Sequence, residues 1–146
     1  TRAEFLAMLV RTLDKEDLTK AKTASFSDVK ATDWFAPYVN WAVEKGVAEG
    51  FGNGEFGPHR LITREQMAAM ADRFAKASGG TLPADVEKTV FKDQASISPW
   101  AVDAVSRVQQ AGILSGNPDG TFRPQDNGTR AEAAAIVKRL MEKLGL

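Results

Sequence analysis

The chain has 146 residues, enough for about one compact domain, and its 43% apolar and 26% charged residues are the composition of a folded chain. Nineteen basic side chains balance nineteen acidic ones, which excludes recognition of nucleic acid or an anionic membrane through a basic excess. Cysteine is absent and His59 is the single histidine, so disulfide frameworks, thiolate zinc sites, thiol catalysis and multi-histidine metal sites are excluded as well.

The opening Thr1-Arg2-Ala3-Glu4 predicts a capping box, in which the Thr and Glu side chains each satisfy a backbone N–H orphaned at a helix start. Phe5, Leu9 and Leu13 then follow at helical spacing. With neither Met nor a leader segment in front of it, the chain is expected to be a fragment of something longer. A Lys- and Thr-rich connector, roughly residues 15–25, leads to Phe26-Ser-Asp28. A helix is expected to open near Trp34, with Asp33 as cap and Pro37 in the first turn, where proline is tolerated. Trp34, Tyr38, Trp41 and Ala42 keep helical spacing, and Gly46 suits a left-handed stop. Gly50 to Pro58 reads as a glycine-rich turn around Asn53-Gly54. Thr63 and Gln66 predict a second capping box, followed by Met67, Met70, Ala71 and Phe74. A polar connector with Ser78-Gly79-Gly80 and Pro83 fills 77–90.

From Phe91 the same order returns. Phe26 and Asp28 recur at Phe91 and Asp93, a shift of 65. Trp34, Gly46, Gly50, Gly54, Phe56, Pro58, Thr63 and Arg64 recur at Trp100, Gly112, Gly116, Gly120, Phe122, Pro124, Thr129 and Arg130, all shifted by 66. One residue has therefore been inserted between Asp93 and Trp100, where Ser98 and Pro99 predict an N-cap and a first helical position. Val102, Val105 and Val108 continue that helix, and Ile136, Val137, Leu140 and Leu144 stripe the last one. Thr129-Arg130-Ala131-Glu132 repeats the chain's opening letter for letter. The organisation is thus the second half of one unit (1–24), a full unit (25–76), a connector (77–90) and a full unit (91–146), expected to form one domain. The three stripes behind the Thr-Arg starts predict that those helices share a central bundle.

The pattern Phe-x-Asp, Trp, Gly-Val/Ile-x-x-Gly, Phe-x-Pro and Thr-Arg-Ala/Glu-Glu/Gln resembles the S-layer homology (SLH) module, a cell-wall anchoring repeat of bacterial surface proteins and exoenzymes. The resemblance implies an all-α fold of tandem helix–loop–helix repeats, arranged as a pseudo-threefold, three-pronged spindle around a central three-helix bundle. It also implies a non-catalytic protein, extracellular and associated with a cell wall or surface layer. Its partner would be a secondary cell-wall polysaccharide carrying pyruvylated N-acetylmannosamine, held in grooves between repeats. No cofactor, nucleic acid or membrane insertion is implied, and no apolar run approaches the ~18 residues of a spanning helix. The state would be a monomer or a contact-assembled oligomer. Because the first unit lacks its Phe-x-Asp helix and turn, at most two complete grooves are expected.

Arg2, Arg64 and Arg130 each stand in the first turn of an expected helix, where a cation opposes the macrodipole. A repeated unfavourable choice needs a reason. The free N–H groups of a helix start attract an anion, and arginine adds a planar fork suited to a carboxylate. An internal salt bridge to Glu4, Glu65, Glu132 or a Phe-x-Asp aspartate is the competing and compatible explanation. Asp28 and Asp93 are candidates for sugar hydroxyls or for turn capping, and Trp34 and Trp100 for stacking on a sugar ring or for core packing. Gly50 and Gly116 complete the candidate ligand-binding set. Gly52-Asn-Gly54-Glu-Phe-Gly57 spells a dinucleotide fingerprint, but no strand precedes it and the second copy breaks it at Pro118. Asn117, Asp119 and Asp126 lack calcium-loop spacing, and no serine lies in a nucleophile-elbow context. The rival to a glycan anchor is a protein–protein assembly module of a surface layer.

Overall fold

The structure, a computed structural model, describes residues 1–14 and 16–146. Lys15, the first residue of the expected 15–25 connector, lies outside the described residues. Among the described residues the chain is helical and without strands: α1 (Arg2–Val10), α2 (Ala36–Glu44), α3 (Arg64–Ala77), α4 (Val102–Gln110) and α5 (Arg130–Leu144). An isolated bridge pairs Thr63 with Asn127. None of the helices is long and apolar enough to cross a membrane.

Two compact units divide the chain, Thr1–Leu61 and Ile62–Leu146. This division is out of phase with the sequence repeat. Residues 1–61 join the second helix of one repeat, α1, to the first helix and turn of the next. Residues 62–146 do the same with α3 and α4 and end with α5.

In residues 1–61, α1 packs on α2. Phe5, Leu6 and Leu9 of α1 and Val39 and Ala42 of α2 are buried to 2% exposure or less, and each fully buried large side chain contributes roughly 1.5–3 kcal/mol. The segment between the helices is strapped to α2. Asn40 accepts from the Ala24 amide at 3.0 Å, and the Trp41 indole donates to Glu16 at 3.1 Å. In residues 62–146, α3 packs on both α4 and α5, burying Met67, Phe74, Val105, Val108, Ile136 and Leu140. Here Gln109 does the strapping: its side chain accepts from the Thr89 amide and donates to the Glu87 carbonyl, both at 2.9 Å.

All three capping boxes form, on Thr1, Thr63 and Thr129. Gly46 and Gly112 end α2 and α4 at φ of 71° and 70°, a region a side chain disfavours. The expected starts of α2 and α4 are too early. Asp33 turns back to accept from the Lys30 amide, so it does not cap α2. Ser98 does not cap α4, because its amide and hydroxyl both donate to buried Glu65, at 2.9 and 2.7 Å. Trp34 and Trp100 therefore sit in the turns before the helices and not within them.

Candidate functional site

The repeated arginines at the helix starts were the strongest functional signal, and the structure gives two of them a common geometry. The α1 amides of Arg2 and Ala3 donate to the carbonyls of Arg60 and Pro58, at 2.9 and 3.0 Å. The α3 amides of Arg64 and Glu65 donate likewise to Asp126 and Pro124, at 2.9 and 3.1 Å. These orphan donors are satisfied by the turn that follows, so the helix starts do not offer them to an anion. The side chains repeat the pattern. Arg2 donates from Nε to the Phe56 carbonyl at 3.1 Å and from its terminal nitrogen to Glu49 at 2.9 Å. Arg64 donates to Phe122 at 2.8 Å and to Ser115 at 2.9 Å. Each guanidinium also lies 4.9 Å from a ring centroid, Phe56 or Phe122. Both arginines are thus buried staples between a helix and its turn, 4% and 5% exposed. Burial, followed by the nearby Arg60, holds the Arg2 guanidinium below its ordinary pKa. Arg130 differs: it is exposed at the start of α5.

Asp28 and Asp93 brace the same turns. Asp28 accepts from the Phe56 and Gly57 amides at 2.8 and 2.7 Å, and Asp93 from Phe122 and Arg123, both at 2.8 Å. Burial pushes both carboxyls up, but the amides outweigh it and hold them below the usual carboxylate range. Gly50 and Gly116 lie where the turn meets the phenylalanine of Phe-x-Asp. A Cβ at Gly50 would stand 2.6 Å from Phe26, and one at Gly116 would stand 2.4 Å from Phe91. Trp34 and Trp100 are each 54% exposed, which removes the core reading for both. Trp34 shares its face with Arg11, whose side chain donates to the Tyr38 hydroxyl at 2.9 Å.

Residues 62–146 hold a cleft of about 350 Å³ between the turn after α4 and the first turns of α5. Arg64 forms part of its wall, with Ser115, Gly116 and Asn117 on the turn and Glu132 and Arg139 on α5. Of the sequence-derived candidates, Arg64 and Gly116 meet here, whereas Asp93, Trp100 and Arg130 are not among the residues that line it. Glu132 closes the arrangement by accepting from the terminal nitrogen of Arg64 left free by Phe122 and Ser115. The sequence reading missed Asn117, Ala135 and Arg139 as lining residues. Glu132, Ala135 and Arg139 recur at three- and four-residue spacing on one face of α5, a periodicity that marks them once the cleft is known.

The corresponding turn in residues 1–61 carries Phe51 where Asn117 stands. Its ring lies 4.7 Å from the Arg2 guanidinium and 4.4 Å from that of Arg60, covering the arginine with an aromatic face. Among the described residues, no cluster of three or more His, Asp or Glu could hold a metal ion.

The S-layer homology domain model matches residues 25–68 and 90–134, and the chain belongs to that family. Three similar proteins are an amylopullulanase of Thermoanaerobacterium thermosulfurigenes, a cellulosome-anchoring protein of Acetivibrio thermocellus and the S-layer protein sap of Bacillus anthracis. Identities are 42%, 30% and 31%, over 99%, 98% and 77% of this chain. The chain spans 8%, 32% and 13% of those relatives' own lengths.

Proposed function

We propose that this chain is a non-catalytic anchoring module that holds an acidic, pyruvylated secondary cell-wall polysaccharide at the bacterial cell surface. The observation that carries the reading is the cleft beside Arg64. Two backbone carbonyls fix the plane of this guanidinium before any ligand arrives, so little is lost in ordering it on binding. An arginine has five N–H donors, of which the bonds to Phe122, Ser115 and Glu132 engage three, and Arg64 lines the cleft. Arg139 adds a second cation, itself anchored to the Ile113 carbonyl at 3.0 Å. A pyruvyl carboxylate between these two cations would gain charge-assisted hydrogen bonds, and Asn117 supplies a neutral donor and acceptor for sugar hydroxyls. Trp100 presents an exposed indole for neighbouring rings of the same polymer, and exposed Arg130 is a further contact for its charge. The names of two relatives, a cellulosome-anchoring protein and an S-layer protein, support an anchoring role.

Ala135 lines the cleft without a polar role, so Ala135→Trp fills it while leaving both arginines in place. Binding to purified pyruvylated wall polymer, measured by calorimetry, should fall at least tenfold in this variant with its helix content unchanged. Full binding by a folded Ala135→Trp protein would remove the cleft from the function.

A further inference from the structure

Glu132 stands where a ligand carboxylate is expected. It lines the cleft, and its Oε1 accepts from the terminal nitrogen of Arg64 that neither Phe122 nor Ser115 engages. The two partners differ in access: the Glu132 side chain is 31% exposed and that of Arg64 is 6% exposed. The other oxygen, Oε2, accepts from the Thr129 amide at 2.8 Å as half of the α5 capping box. Glu132 can therefore release Arg64 while its second oxygen keeps the carboxylate on the helix start. The exchange costs one ion-pair contact and no unfolding of the cap.

Resting on the glycan reading above, we infer that Glu132 is a built-in competitor that an acidic ligand displaces from Arg64, and that it holds down the cleft's affinity for charged saccharide more than for uncharged. With Glu132 in place, one of the two cleft cations is already neutralised. A ligand carboxylate regains for Arg64 what it displaces, whereas an uncharged sugar does not and leaves the internal pair closed. Glu132 thus lowers affinity for ligands that use this guanidinium, a carboxylate most of all. It is a specificity-determining residue that acts through Arg64.

The chain supplies a control for folding. In α3 the same capping position is Gln66, whose Oε1 accepts from the Thr63 amide at 3.1 Å. Glu132→Gln therefore keeps the cap and removes the charge that competes for Arg64. The expected result is a three- to tenfold gain in affinity for purified pyruvylated wall polymer, with a smaller gain for the same polymer after mild-acid removal of pyruvate. The ratio of the two affinities is the readout that a merely structural role would not move. Ala135→Trp run in parallel separates the two levels. Binding lost in Ala135→Trp but unchanged or weakened in Glu132→Gln overturns the competitor role and leaves the cleft intact. Binding unchanged in both variants overturns the cleft itself, and the competitor with it.

Discussion

Arg64 occupies a position at which a cation is disfavoured by the helix dipole, and the structure shows what outweighs that cost. Its guanidinium ties two turn carbonyls and Glu132 to the start of α3 while buried. Removing it leaves the buried Phe122 carbonyl without its partner. Arg64→Ala should therefore destabilise residues 62–146 by roughly 1–3 kcal/mol, read from thermal or urea unfolding. Arg130→Ala, at an exposed position, should change stability by less than about 0.5 kcal/mol. The dipole argument by itself predicts a neutral or slightly stabilising effect at both, so the pair separates a staple from a surface charge. That an arginine mattered here was legible in the sequence because the same unfavourable choice recurs three times. Its acceptors were not legible, because they are backbone carbonyls and any residue supplies one. The aspartates show the same limit. Asp93 holds two amides, and its carboxyl lies below the ordinary range, so it binds fewer protons folded than unfolded near pH 4. Its contribution is full above the unfolded carboxyl value of about 3.9 and is lost as pH falls through the lower folded value. Asp93→Asn should lower the melting temperature at pH 7 and flatten its decline below about pH 4.

The helices and their ends follow from local chemistry, whereas the pairing between them depends on side chains far apart in the sequence. The three Thr-x-x-Glu/Gln boxes and the glycine stops were legible because both rest on contacts within a single turn. The start of α4 was misread because Ser98 is taken by Glu65, a partner 33 residues away. A second long-range substitution distinguishes the helix pairs. Positions equivalent to Val10 and Trp41, both 2% exposed, hold Asp72 and Arg107 in α3 and α4. The Asp72 carboxylate accepts from Arg107 at 2.7 and 2.9 Å and from Lys76 at 2.8 Å. Burial raises its pKa, but these two cations outweigh burial and hold it below the usual range. A double-mutant cycle on Asp72→Ala and Arg107→Ala should therefore give a coupling of about 1–3 kcal/mol. A coupling near zero would make the pair incidental. The turn offers a third element-scale test. Gly116→Ala places a Cβ against the Phe91 ring and the Thr121 carbonyl, at 2.4 and 3.1 Å. It should cost roughly 1–3 kcal/mol by overpacking.

At the scale of the chain, the sequence repeat and the compact unit run out of step, and the arginine staple accounts for the offset. The Thr-Arg starts of α1 and α3 are each satisfied by the turn that comes after them in the chain, so α1 belongs with 25–61 and α3 with 91–128. The period of 66 residues was visible in the letters; the phase of the packing was not, because letter matches carry no information about which neighbour a helix packs against. Residues 62–146 contain α3, its strap, its turn and α5, with their buried polar groups bonded to one another. That fragment should fold alone, with helical circular dichroism and a single cooperative melt. For the cleft it contains to take a negatively charged saccharide, as proposed above, the charge on the polymer must govern binding. The most direct measurement is calorimetric titration of the chain with purified pyruvylated wall polymer and with the same polymer after removal of its pyruvyl groups. A cleft built around Arg64 and Arg139 predicts at least a tenfold loss of affinity on removal, and equal affinity for the two polymers would contradict it.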